Sequence, residues 1–425
     1  MNNTLTVKIL IFMFAGVAFG LVMKFLPSSV HGIQFINNVL RLGGNAFIAL
    51  IQMLVVPIVF VSIICGITSF ERGGAVGRVG FKSMQWVLIT TLSAILLALL
   101  VANIFSLGSD LYLDVATKGS IVQNGTPSLW EFVGNIIPSN PIKAMAEGNM
   151  LQVIVAAMLI GVSINASGEN GRRIATFFSD LNVICTKYIM MLMSVAPYGV
   201  FCLIAILFAE QGFGLILGML NYFITVLLVL LLHAFVTYSL ILRISNLSPK
   251  AFFSKIYSVM LFAFGVSSSN ASIPLMLDTA ERKLGVSKSI AAFVIPFGVN
   301  INKNGTAIML TIATIFIAHI YHIHLSMVSY FILISMILLV SVATAGVPGI
   351  GMITLVIVLE QLGLPIEGIS LIIGADRLLD MVRTAVNVAG NSMIACLVAK
   401  SEKQIDYRVY ESVIPDSPPP IITAK

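Results

Sequence analysis

The chain has 425 residues, of which 58% are hydrophobic and only 10% charged. Soluble domains carry about 25% charged residues, so this composition excludes a water-soluble globular protein and specifies a polytopic membrane protein. The net charge of +6 reports basic loops on one side of a membrane rather than affinity for nucleic acid.

Apolar stretches near the spanning length of about 20 residues run over 7–26, 42–68, 84–107, 150–166, 182–208 and 213–243. The first is read as a retained transmembrane helix, because no clear small-residue cleavage site follows it. The helix through 172–208 is long enough to tilt or to extend beyond the bilayer. Residues 250–285 then show two short apolar halves separated by "SSSNAS" (267–272), and 325–362 repeat the plan around "ATAGVPGIG" (343–351). Neither half spans a bilayer, so each pair is expected to be a re-entrant hairpin with its tip buried in protein or facing a wet cavity. Helical segments at 287–318 and 366–400 follow the two hairpins. The expected fold is therefore all-α, with eight transmembrane helices and two re-entrant helical hairpins. Paired interruptions of this kind mark the binding site of a transporter.

Basic residues gather in "ERGGAVGRVGFK" (71–82), "GENGRR" (168–173) and "KSEKQIDYR" (400–408), whereas 107–149 holds Asp110, Asp114, Glu131 and Glu147. The positive-inside rule then places both termini in the cytoplasm and 107–149 outside. The end "VIPDSPPPIITAK" (413–425) reads as a mobile tail.

Polar residues at lipid depth carry the chemistry. Asp380, Thr384, Asn387 and Asn391 fall at i, i+4, i+7 and i+11 of the last helix, with Asp376 a turn earlier and Arg383 beside Thr384. They form one stripe, longer than helix association needs. Asp380 can hold an ammonium, Arg383 a carboxylate through a two-pronged fork, and Asn387 a further polar group. The implied solute is a zwitterion with an additional acid group. The serines at 267–272 offer hydroxyls and backbone N–H groups to a carboxylate, and Gly346, Gly349 and Gly351 give the second tip the flexibility of a lid. Lys303, in "PFGVNINKNGT" (296–306), is a cation at lipid depth, which costs about 2.5–3.5 kcal/mol on insertion scales. It needs a partner, with Asp380 or Asp376 the available carboxylates, or a task. Cys65, Cys185, Cys202 and Cys396 lie in apolar runs without close pairing and read as buried small side chains. His319, His322 and His324 read as an interfacial edge rather than a metal site. An anion channel is one reading from another class. A membrane-embedded hydrolase using Ser267, Ser268 or Ser269 with Lys303 as base is another, but no GxSxG elbow is present.

The segments "MLVVPIVFVSIICGI" (53–67), "SSSNASIP" (267–274), "NINKNGTA" (300–307), "TAGVPG" (344–349) and "DRLLDMVRTAVNVAGN" (376–391) together resemble the dicarboxylate/amino acid:cation symporter family of glutamate and aspartate carriers. The resemblance implies an elevator-type homotrimer in the cytoplasmic (inner) membrane, with membrane lipid and a small acid as partners and no cofactor beyond a coupling ion. Residues 1–249 would be mainly scaffold and trimerisation helices, with about 84–107 lent to the transport domain. Residues 250–400 would be the transport domain: hairpin 1 at about 250–285, a helix at 287–318, hairpin 2 at about 325–362 and a helix at 366–400. Residues 401–425 would be a cytoplasmic tail.

By the same resemblance, substrate would be held by Ser268, Ser269, Asn270, Thr306, Gly346, Val347, Gly351, Asp380, Arg383, Thr384 and Asn387. Coupling would involve Thr90, Thr91, Gly298, Asn300, Asn302, Lys303, Asn304, Ser341, Val342, Thr344, Asp376 and Asn391. Retaining both Asp380 and Arg383 implies L-glutamate or L-aspartate. Sodium-coupled relatives show "NMDGT" where this chain has Asn302-Lys303-Asn304-Gly305-Thr306, and an aspartate where it has Asn391. Losing two carboxylates weakens sites for a hard cation, so protons are the expected coupling ion, with Lys303 as a tethered cation in sodium's place. The alternative is a sodium-coupled carrier of acidic amino acids or C4-dicarboxylates, working through the backbone-oxygen site around Asn300, Asn302, Ser341, Val342 and Thr344.

Overall fold

Apolar stretches in this chain fold as helices wherever the computed structural model describes them, namely over residues 2–25, 31–68, 74–105, 107–108, 137–211, 214–343 and 350–412. Among these residues there is no strand, only an isolated antiparallel bridge between Val286 and Ile405. The N-terminal helices are α1 (Asn2–Phe25), α2 (His31–Thr68) and α3 (Gly74–Ile104). The short α4 (Pro141–Ala146) leads into α5 (Met150–Ala166), α6 (Gly168–Gln211) and α7 (Gly214–Leu232). A π-helical turn (His233–Thr237) joins α7 to α8 (Tyr238–Ile244). Then come α9 (Pro249–Val266), α10 (Ile273–Arg282), α11 (Lys288–Ile301), α12 (Asn304–Ile320), α13 (Met327–Ala343), α14 (Ile350–Gln361), α15 (Ile369–Ser401) and α16 (Tyr407–Glu411).

Six helical runs among the described residues are long and apolar enough to cross a membrane, seven if the bent α6 counts as one. The two halves of α6 meet at 47°. The cause is Pro197, whose missing N–H and ring disrupt the bond to the carbonyl four residues earlier. The expected long helix is therefore present, but kinked. Burial separates the spans. Lys288–Ile320 and Ala375–Ser401 are 94% and 89% buried within the protein, against 24% for Val7–Lys24. The first two are inner helices wrapped by protein; α1 leaves most of its surface uncovered by this chain.

α1, α2, α5 and α6 pack on one another, while α3, α7 and α9 pack around the inner helices. Gly16 and Gly20 let α1 touch α6, since a Cβ built at Gly20 would lie 2.4 Å from the Ala205 carbonyl oxygen. Close approach of this type is the usual use of small residues spaced by four between membrane helices. Gly20→Val is expected to lower stability by about 1–3 kcal/mol, read as a drop in melting temperature of the purified protein. Gly66→Ala, where an added Cβ would meet nothing within 4 Å, is the control whose melting temperature does not fall.

Both interrupted segments fold as helix pairs, α9–α10 about the turn at 267–272 and α13–α14 about 344–349, and the members of each pair touch. The expectations placed on Thr344, Gly346 and Val347, on most of 107–149 and on 413–425 fall outside the described residues, as does the side chain of Val342. The segment expected as one helix at 287–318 is two, broken at Asn302–Lys303, where Asn302 is extended (φ −93°, ψ 101°). Three asparagines in "NINKN" weaken the helix locally, and side chains from other helices take over the freed backbone groups.

Candidate functional site

The break between α11 and α12 faces the middle of α15, and the polar residues meet there. The N–H of Gly305, one of the unpaired donors at the start of α12, donates to Asn387 Oδ1 at 2.8 Å. Asn302 Nδ2 donates to Asn391 Oδ1 at 2.8 Å, and a Cβ at Gly298 would lie 2.9 Å from that same oxygen. Asn304 is fixed from both sides: Thr91 donates to its Oδ1 at 2.9 Å, and its Nδ2 donates to Tyr238 OH at 3.0 Å. Tyr238 passes its own proton to the Val386 carbonyl at 3.3 Å. The amide at 304 is thus bonded at both ends within the protein, whereas Asn391 is bonded through Oδ1 alone and its Nδ2, like Asn302 Oδ1, is buried without a partner.

Lys303 is 2% exposed and donates to the Val299 carbonyl at 2.6 Å. In an unbroken helix that carbonyl would accept the backbone N–H of residue 303. The break removes that donor, and the ammonium of the same residue replaces it. A cation is favoured at this C-terminal end of α11, where the helix dipole is negative. The expected ion pair with Asp376 or Asp380 is not formed.

One turn along α15 lies the charged cluster. Arg383, 1% exposed, sits between Asp380 (2.8 Å) and Asp376 (3.0 Å). Arg377, also buried, faces the other oxygen of Asp380 at 3.5 Å. Thr384 donates to the Asp380 carbonyl at 2.7 Å. The start of α14 presses against Arg383: a Cβ at Gly351 would stand 2.6 Å from Nη1. Asp376, Arg377 and Asp380 border a cavity of about 40 Å³, closed on its far side by Phe47, Ile51 and Leu192. A cavity of this size holds a few waters at most and is too small, as it stands, for a solute of amino-acid size.

The stripe Asp376–Asn391 is therefore a buried, connected face, and Thr91, Gly298, Asn302, Asn304 and Gly351 join it. Thr306 is buried (6% exposed) in the turn that follows Gly305. In the first tip Ser269 is buried and Asn270 exposed, Ser267 adopts a left-handed conformation (φ 52°), and Ser268 Oγ accepts from Ala271 N at 3.3 Å. Three expected residues bond within their own helices. Thr90 bonds back to Trp86 on its own helix. Asn300 is exposed and bonds to Pro296. Ser341, though buried, has its hydroxyl on the Leu338 carbonyl. Each satisfies its side chain within its own helix, as serine, threonine and asparagine commonly do.

Sequence reading missed Arg377 and Tyr238. Arg377 was detectable, because it stands three residues before Asp380, at ion-pair spacing on a helix. Tyr238 carried no signal beyond the rule that a buried tyrosine hydroxyl finds a partner. Tyr238→Phe leaves Asn304 Nδ2 buried without an acceptor. It is expected to cost about 1–3 kcal/mol, measured by thermal unfolding. The described histidines and cysteines form no metal-binding group; His319 bonds the Leu107 carbonyl at 2.9 Å.

A buried, charged site beside two interrupted helix pairs is the apparatus of a membrane carrier. A sequence model of the Sodium:dicarboxylate symporter family matches residues 5–401. The chain is 32% identical over 381 residues to the proton/sodium-glutamate symport protein of Bacillus subtilis, covering 88% of this chain and 89% of that protein. It is 33% identical over 410 residues to the C4-dicarboxylate transport protein of the same organism, covering 95% of each. Against the C4-dicarboxylate transport protein of Rhodospirillum rubrum it is 33% identical over 409 residues, covering 95% of this chain and 89% of that protein. The chain belongs to the Sodium:dicarboxylate symporter family, and is a symporter rather than an enzyme.

Proposed function

We propose that this protein takes up an acidic amino acid, L-glutamate or L-aspartate, coupled to protons. The observation that carries the reading is the charge of the buried cluster. Lys303, Arg377 and Arg383 stand against Asp376 and Asp380, one positive charge in excess. A solute of net charge −1 neutralises it without a metal cation, whereas a C4-dicarboxylate of charge −2 leaves a buried negative charge unless a proton accompanies it. Asp380 receives the ammonium, Arg383 the side-chain carboxylate, and Thr384 and Asn387 further polar groups, with the Ser268–Asn270 tip, Thr306 and Gly346–Gly351 completing the pocket.

The amides at 304 and 391 are bonded to Thr91, Tyr238 and Asn302, and this supports protons over sodium. So does the ammonium of Lys303 on a C-terminal helix carbonyl, the kind of position at which half-helices of transporters hold a cation. The alternative is suggested by the relatives' names: sodium coupling, or a C4-dicarboxylate as solute. The wider reading is an elevator carrier of eight transmembrane helices and two hairpins, with α13–α14 as gate. It works as a homotrimer in the inner membrane with both termini cytoplasmic.

The test is uptake of radiolabelled L-glutamate, L-aspartate and succinate by purified protein in liposomes, under a pH gradient alone or a sodium gradient alone. Uptake of the amino acids driven by pH and indifferent to sodium is expected. A strict sodium requirement, or uptake of succinate in preference to both amino acids, would overturn the proposal.

A further inference from the structure

Beyond the last span the chain does not leave the protein at once. Glu402, its side chain 6% exposed, accepts from Arg78 at 2.7 Å and from Lys82 at 2.6 Å on α3. Those hydrogen bonds, Arg78's first, hold its carboxyl down at about 2. The contact is thus complete above the ordinary glutamate range and is lost only as pH falls toward 2. Residues 404–406 then pair with the link between α10 and α11. Ser287 N donates to the Gln404 carbonyl at 3.1 Å, and Asp406 N to the Gly285 carbonyl at 2.8 Å. Gly285 is required there, since its φ is +69° and a Cβ would lie 2.4 Å from the Asp406 carbonyl oxygen. Asp406 caps α16 through Arg408 N and Val409 N, and α16 delivers its last carbonyls to Lys255 of α9.

Lys255 is 2% exposed. Its ammonium donates to the carbonyls of Val409 (2.5 Å) and Tyr410 (2.6 Å), and lies 5.8 Å from the Tyr410 ring centre. A buried ammonium is costly without such partners. Tyr410, fully buried, donates to the Ser248 carbonyl at the start of α9. Lys400, near the end of α15, donates to the carbonyls of Ser245 and Asn246. The second pair is tied differently, by Tyr330 to Asn103 and by Gln52 to Glu360, both exposed hydrogen bonds.

We infer that residues 402–412 are a clasp that fastens the α9–α10 pair to α15 and α3, with Lys255 and Glu402 as its positioning residues. The clasp holds α9 through Lys255 and Ser248, and the chain beyond α10 through Gly285 and Ser287. The clasp therefore restrains the α9–α10 pair at its base, and that pair is the first element to loosen when the clasp is lost. The inference concerns the carrier cycle proposed above, but its first test needs no substrate.

Hydrogen–deuterium exchange of the full-length protein is compared for wild type, Lys255→Met, Lys255→Arg and Glu402→Gln. In Lys255→Met, which loses two charge-assisted hydrogen bonds, amides of 249–272 are expected to exchange at least about tenfold faster, the factor for one such bond, with α12 and α15 unchanged. Lys255→Arg, which keeps a donor for the two carbonyls, restores the wild-type pattern. Glu402→Gln loosens 402–412 and the start of α3. In liposomes, Lys255→Met should also leak preloaded substrate that the Arg variant retains. Faster exchange confined to 402–412, or spread evenly over all helices, would overturn the clasp. Failure of glutamate uptake in every protein, wild type included, with the exchange pattern as expected, would count against the substrate assignment and leave the clasp standing.

Discussion

Arg383→Ala is expected to abolish uptake of acidic amino acids while leaving the protein folded. Arg383 is 1% exposed and bonded to both Asp376 and Asp380. Removing one member of a buried, bonded ion pair costs on the order of 3–5 kcal/mol. Lost from binding alone, that is roughly a hundred- to several-thousandfold in affinity. Arg383→Lys does not rescue, because an ammonium cannot present the planar fork that grips a carboxylate with two bonds. The discriminating measurement is substrate-induced stabilisation of the purified variant. Glutamate should raise the melting temperature of wild type and leave that of Arg383→Ala unmoved. A variant that still responds to glutamate at wild-type concentrations would remove Arg383 from the binding site.

Lys303→Met is the second large effect. It deletes the excess positive charge and frees the Val299 carbonyl at the end of α11. A unit charge a few ångströms from a bound acid is worth about 1–4 kcal/mol at the effective dielectric of such sites. Affinity for glutamate at zero sodium should fall at least about tenfold. The pH dependence of uptake should flatten, and added sodium should now stimulate, because the place and the carbonyl held by the ammonium become available to a cation. Pairing Lys303→Met with Asn304→Asp should strengthen the sodium response. A Lys303→Met carrier with unaltered pH dependence and no response to sodium would sink the tethered-cation reading and leave Lys303 a helix cap.

Both predictions concern residues visible in the sequence, yet their partners were not. Lys303 stood out because a charge in an apolar run must be explained, but its acceptor is a backbone carbonyl four residues back. Which carbonyl is orphaned depends on where the helix breaks, and asparagine propensities do not fix a break to the residue. Arg383 was legible as a fork for a carboxylate. That it rests between Asp376 and Asp380, with Arg377 on the far oxygen, follows from rotamers chosen by packing against Gly351 and the cavity wall. Asn300 shows the converse: polar type and position pointed to the site, and it stands exposed with its amide on the Pro296 carbonyl of its own helix.

The sequence by itself determined the membrane class, the two interrupted pairs, the polar face of α15 and the family. Each depends on composition or on a period along one chain, and lipid punishes departures from either. Tertiary structure decided what lies at right angles to the chain. Tyr238 meets Asn304 across 66 residues, Thr91 meets it across 213, and Lys255 meets the end of α16 across more than 150. Such pairings arise when buried donors and acceptors that cannot reach water must find one another, and only the folded packing of the helices says which ones come within reach.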